Sequence, residues 1–260
     1  MGAGLASASP GARRAAPMVG GVASRAPGDV ELQVMYDPAV AQLGKSQGRF
    51  WRVTLGALMT LSESVELTAA VVAQQPAAGG EGARLERLHG ALEFRVLGRT
   101  PDGAPRGFES KLVFEYGLPL LAADGSAPSS VRTSHVLDER VILGGASGHW
   151  SYGVSLGLSQ ALAGAREDDG VGGTFGVTLA RALAPLEPWP RAMLGLEVFG
   201  DISFDGPTTH GLPGDDGLAL YAGPTMSFAL GRVWGGLGLY PALTAPELGL
   251  LGRVMFGFAL

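Results

Sequence analysis

Chemistry-bearing residue types come closest together at His149-Trp150-Ser151-Tyr152-Gly153, where an imidazole and a hydroxyl sit two positions apart. A serine nucleophile needs a hydrogen-bonded histidine base that is itself oriented by a third group. Spacing of i, i+2 supplies neither, so the pair reads as a turn-flanking histidine and an inward-facing serine. The acidic runs Glu167-Asp168-Asp169 and Asp215-Asp216 offer oxygen ligands of the kind hard cations such as Ca²⁺ prefer. They follow no defined ligand spacing and read as solvated loop charge. Gly170, Gly172, Gly173 and Gly176 loosely imitate a nucleotide-binding fingerprint, but no strand-to-helix context follows them. The four histidines show no metal-ligand spacing. No catalytic residue, metal site or cofactor is therefore expected. What remains is a set of charges at alternate positions: Arg52, Glu66, Arg87, Glu93, Arg95, Glu109, Lys111, Glu115, Arg140, Glu197, Asp201, Arg232 and Arg253.

Alternation identifies the elements that carry these charges, because successive strand residues face opposite sides. From Ala192 to Phe204 the even positions include Leu194, Leu196, Val198, Ile202 and Phe204, while Gly195, Glu197, Asp201 and Ser203 occupy odd ones. Trp150, Tyr152, Val154, Leu156 and Leu158 oppose Ser151, Gly153, Ser155, Gly157 and Ser159. The last segment sets Leu248, Leu250, Val254, Phe256, Phe258 and Leu260 against Gly249, Arg253 and Gly257. Strict period two over such lengths is not helix. Similar segments begin at Val30–Tyr36 and recur near residues 51–60, 65–74, 87–96, 108–116, 137–145, 171–182, 217–230 and 232–241. The total is twelve strands, or ten if the weak 137–145 segment fails. Short connections near 62–64, 147–148 and 231 mostly alternate with longer polar ones near 37–48, 75–85, 119–134, 161–170 and 205–216.

Composition narrows the class. Hydrophobic residues make up 46% of the 260 residues and Gly alone counts 42, against a usual Gly share of about 7%. Mean hydropathy is +0.22, yet no run of about 18 apolar residues exists to form a spanning helix. Helices and closed barrels are the only structures that satisfy the backbone within a bilayer. A hydrophobic, strand-rich chain without such a helix is expected to be all-β, a transmembrane antiparallel up-and-down barrel. Cysteine is absent, which excludes disulfides and thiolate metal sites. A net charge of −5 argues against a nucleic-acid partner. Aromatic residues fall at strand ends (Tyr36, Phe50, Trp51, Phe108, Trp150, Tyr152, Trp189, Phe204, Phe256 and Phe258), as interfacial girdles require.

The segments HWSYGVSLGLS, MLGLEVFGDISF, LYAGPTMSFALGRVWGGLGLYPAL and RVMFGFAL resemble the small bacterial outer-membrane barrels related to the porin-like transporter of the phenol-degradation pathway. That resemblance implies a barrel whose last strand ends in an aromatic read by the assembly machinery. Here the terminal residue is Leu260, with Phe258 and Phe256 at the preceding alternate positions. Outer-membrane phospholipases and lipid A deacylases also carry His and Ser two apart on a strand, followed by Asn and Gly. Tyr152 stands in place of that Asn.

Residues 1–28 are rich in Ala, Gly, Ser, Pro and Arg and lack the apolar region of a secretory signal. Ala6-Ser7-Ala8 resembles a cleavage motif, so this stretch is expected to be a flexible tail or the remnant of a signal, with residues 29–260 forming the barrel. The expectation for function is an outer-membrane channel, porin-like and cofactor-free, passing small solutes by diffusion through a lumen lined by the thirteen charges named above. A closed structural or adhesion barrel acting through its outer loops is the alternative, and a lipid-modifying enzyme is third. Expected partners are outer-membrane lipids and lipopolysaccharide, the barrel-assembly machinery and the solutes themselves.

Overall fold

The computed structural model describes residues 28, 30–43, 46–62, 64–75, 84–97, 107–120, 135–147, 149–163, 171–183, 191–204, 218–230, 232–244 and 249–260. The tail at 1–27, both acidic runs, Gly170, Trp189 and the side chains of Phe50, Phe108 and Glu109 lie outside the described residues. Twelve strands follow in order: β1 Val30–Leu43, β2 Ser46–Ser62, β3 Val65–Gln75, β4 Arg84–Leu97, β5 Gly107–Pro119 and β6 His135–Ser147; then β7 Trp150–Ala163, β8 Val171–Ala182, β9 Arg191–Ser203, β10 Leu218–Leu230, β11 Val233–Pro241 and β12 Leu250–Ala259. Each pairs antiparallel with its neighbours in sequence, and β1 pairs with β12, so the sheet closes into a barrel. The seam runs from Glu31 opposite Ala259 to Val40 opposite Leu250. The Leu260 N–H donates to the Val30 carbonyl at 2.9 Å, so pairing continues to the last residue.

The two faces are inverted relative to a water-soluble protein. Leu196 is 64% exposed, whereas its chain neighbour Glu197 is 0% exposed. The same contrast recurs around the ring, with Leu55, Leu92, Leu156, Val177 and Leu237 exposed on the outside while Glu93, Glu115 and Arg253 are buried inside. An apolar exterior this continuous matches lipid, and strands of nine residues or more reach across its hydrocarbon layer. Exposed aromatic residues lie toward both of its ends. Trp150, Tyr152 and Phe258 are exposed toward the short-turn end and Phe204 at the other, while Tyr36 and Phe256 lie within two rows of each other across the seam. The Arg181 guanidinium lies 5.7 Å from the Trp150 ring centroid, a pairing suited to the interface.

Two expectations need correction. Arg232 does not line the lumen: it is exposed in the turn between β10 and β11, because the alternation ends one residue before β11 begins. The stretch 37–48 is not a long loop, since β1 continues to Leu43 and pairs with β2 down to Leu43 opposite Ser46. The 137–145 segment, the weakest of the twelve expected strands, is a full strand as expected, β6, paired on both edges. Its outward face carries Glu139, in register between Phe114 and Leu158, so an acid interrupts the apolar exterior there.

Leu196 lies near the middle of β9. Replacing an exposed residue of a soluble protein changes stability by about 0.5 kcal/mol or less. Leu196→Arg here is expected to cost about 2–4 kcal/mol, the penalty for a cation near the bilayer midplane. The check is urea unfolding from phospholipid vesicles, and a near-neutral result would mean that this face does not meet lipid.

Candidate functional site in the barrel lumen

The inward face is polar because closure leaves it the only place for charge. Of the expected lining set, Glu66, Arg87, Glu93, Lys111, Glu115, Arg140, Glu197, Asp201 and Arg253 are buried within the barrel, and Arg52 and Arg95 point inward half-buried. Glu31, Asp37, His89 and Asp138 join them. These four were legible as inward-facing by parity, yet each belongs to a segment whose alternation is less clean.

The charges divide between two walls. On β3–β6, like charges stand directly opposite one another: Glu66 opposite Glu93, Arg95 opposite Lys111, and Glu115 opposite Asp138. Direct like-charge pairs are unfavourable, and the diagonal neighbours relieve them. The Lys111 ammonium donates to Glu66 and Glu93, at 3.2 Å each. Arg95 lies 3.7 Å from Glu66. Arg140 reaches Glu115 at 3.5 Å, and the His89 Nδ1 is 3.1 Å from the other Glu115 oxygen. This wall is a staggered ladder of opposite charges rather than a ring of one sign.

The second wall, on β9–β12 and β1, is built on rings. Phe199 stacks on Tyr221 with centroids 5.5 Å apart, and meets Tyr240 edge-on at 4.9 Å. With Ala219 and Leu251 they form a buried cluster. The Tyr240 hydroxyl donates to Glu197 at 2.6 Å. The Arg253 guanidinium packs 5.5 Å from the Phe199 centroid and 5.9 Å from that of Tyr240, and its Nε donates to Asp37 at 3.1 Å. Register places Asp37 opposite Arg52 on β2 as well, so this acid sits where the closing seam meets the next strand. Beside Tyr240 the backbones of β10 and β11 approach so closely that a side chain at Gly223 would overlap the Leu239 carbonyl, which only glycine avoids. Sequence reading missed these inward rings. The signal was present in Phe199, an odd-position ring on the face that otherwise carries Gly195, Glu197 and Asp201.

Between the walls, β7 and β8 present only small residues inward, whereas the β2–β3 sector mixes small residues and threonines with Arg52, Leu58, Glu66 and Val72. His149 is exposed in the β6–β7 turn while Ser151 is buried on the lumen face. That geometry leaves the imidazole outside the barrel wall and the hydroxyl within it.

No family model matches the chain, and no curated protein matches it in sequence. Among solved structures, it is similar to an outer membrane channel from Pseudomonas putida F1, with TM-score 0.55 and 11% identity over 92% of this chain and 98% of that one. It is also similar to the NanC porin, with TM-score 0.56 and 6% identity over 89% of this chain and all of the other. At such identities the likeness is one of fold. The chain has the barrel architecture of outer-membrane channels and porins.

Lys111→Met removes the cation shared by Glu66 and Glu93, which face each other inside the barrel. Breaking a buried pair of this kind costs about 3–5 kcal/mol. The expected outcome is a fall of that size in the stability measured by urea titration in detergent, with Lys111→Arg losing less than half as much.

Proposed function

We propose that this chain is a bacterial outer-membrane channel of narrow bore, through which small solutes diffuse without covalent chemistry. The observation that carries the reading is the inversion of faces at Leu196 and Glu197, which recurs around the ring: an apolar exterior for lipid around an interior that holds the charges. The barrels it resembles in fold include one named as a channel and one named as a porin. The pattern shared with the phenol-pathway transporter family, strongest in β7 and β9–β12, supports the same reading. The outer membrane is then its location, and lipid, lipopolysaccharide and the barrel-assembly machinery are its surroundings.

The bore is narrow because its long side chains are spent on one another. Lys111, Arg140 and Arg253 are each tied to a carboxylate, and the three rings fill part of the opposite wall. A second reading draws on the same observation: a barrel with its lumen filled, acting through the outer loops. Inward acids outnumber inward lysines and arginines among the described residues, with Glu31, Asp37, Glu197 and Asp201 facing Arg52 and Arg253 on the ring-bearing side. Fixed negative charge along a pore favours cations.

Purified protein refolded in detergent and added to planar lipid bilayers is expected to give small, discrete conductance steps with a preference for K⁺ over Cl⁻. Silence from a barrel verified as folded by its heat-dependent gel mobility would favour the filled-lumen reading instead.

A further inference from the structure

The lumen faces of β7 and β8 form a strip with an unusual composition. Register sets Ser151 opposite Ala180, Thr178 opposite Gly153, Ser155 opposite Gly176, Thr174 opposite Gly157, and Ser159 opposite Gly172. Each of the five rows therefore holds one hydroxyl and one residue no larger than alanine, and the hydroxyl alternates between the two strands. Rows on one face are two residues apart, about 7 Å. The strip thus runs on the order of 27 Å along its strands, which at the usual barrel tilt is about 20 Å of membrane depth and most of a bilayer's hydrocarbon core. No charge and no ring stands in any of its rows, unlike the walls that flank it.

The small partner is needed for the hydroxyl beside it. A methyl group at Gly157 would collide with the Thr174 Oγ1 and would sit 3.4 Å from the stem of Arg140, which leans in from β6. Glycine at this position keeps the strip flat and the hydroxyl pointing into the barrel. Two of the hydroxyls also lack what burial demands. Ser159 and Thr178 are 2% and 3% exposed, and neither Oγ has a hydrogen-bond partner among the described residues. Buried hydroxyls are nearly always hydrogen-bonded to protein or to ordered water, and leaving one unmade costs about 1–3 kcal/mol. Water or a polar solute within the barrel can supply that bond, as it can for Thr54, Thr60 and Thr68 on β2 and β3.

We propose that the β7–β8 strip is the solute path, and that it takes small uncharged molecules bearing several hydroxyl groups. This rests on the channel reading above and names the substrate class for it. Serine and threonine hydroxyls both donate and accept. A polyol passing along the strip can exchange one hydrogen bond for the next in short steps, with no ion pair to break. An ion on the same path lies beside Arg140 on one flank and Glu197 and Asp201 on the other, so it is drawn off the strip toward the flank of opposite sign and repelled by the other. The polyol meets none of that opposition.

The test is swelling of proteoliposomes that contain the whole chain, in isosmotic sorbitol, gluconate or glucosamine hydrochloride, solutes of similar size and different charge. Sorbitol is expected to enter at least fivefold faster than either ion. The triple variant S155A/S159A/T178V removes three hydroxyls with little change in volume, and it is expected to lower sorbitol entry at least fivefold. Ser155→Trp, which blocks the strip at mid-height, is expected to abolish it. Folding of each variant is read from its heat-dependent gel mobility. Entry of all three solutes at similar rates, or sorbitol entry unchanged in the triple variant, overturns the strip while leaving the channel in place. Entry of none of them, from wild-type protein verified as folded, overturns the channel itself.

Discussion

Within lipid a backbone N–H or C=O has no solvent to turn to, and each one left unpaired costs several kcal/mol. For a chain without a spanning helix, the only remedy is a sheet without edges, and the seam between β1 and β12 supplies it, joining residues more than 200 positions apart in sequence. Closure then dictates the rest. It makes the strands two-sided in the same sense, apolar outward, and among the described residues it gathers the charges at membrane depth, Glu139 apart, into one enclosed space. The ion pair between Arg253 and Asp37 sits on the seam itself, so an inward pair also ties the last strand to the first. Asp37 is opposite Arg52 on β2 as well, which lets one carboxylate serve three adjacent strands.

That confinement explains the arrangement of the charges. Strands tilt in a barrel, so the residue level with a given side chain is often a diagonal neighbour rather than its register partner. On β3–β6 the register partners carry like charges and the diagonal ones carry opposite charges, with Lys111 between Glu66 and Glu93 as the clearest case. A pattern that looks repulsive when the strands are drawn flat is attractive once they are wound.

Much of this was legible in the chain. Period two is a local property, and on β7, β9 and β12 it is strict enough to give both the strand and its facing directly. It weakened or failed where local signals ran out. Asp138-Glu139-Arg140 places three charges in succession, which blurs the alternation of β6 and made it the weakest of the twelve expected strands, although neighbours on both sides hold it in place. The polar residues around Asp37 read as a loop, whereas pairing with β2 and β12 extends β1 through them. Arg232 shared the parity of an inward residue but lies in a turn, where parity has no meaning. The charges of the candidate site were found because charge on an apolar background is conspicuous. Which charge pairs with which was not readable, since diagonal partners depend on the winding of the whole sheet. The inward rings escaped because phenylalanine and tyrosine on alternating strands are ordinarily assigned to the lipid face.

The lumen is asymmetric for a reason that follows from its contents. A ring of twelve strands sets each opposite the one six places away, so the charged ladder on β4–β6 faces the ring cluster on β10–β12. Long side chains come from both walls, and the β7–β8 sector between them is lined by small residues. This accounts for the glycines of β7 and β8, which a purely outward-facing view treats as generic barrel glycine. It does not require hydroxyls there: alanine would fill the same space at no polar cost. A hydroxyl in each of five successive rows is therefore not demanded by packing, and it is the feature on which the proposed solute path rests.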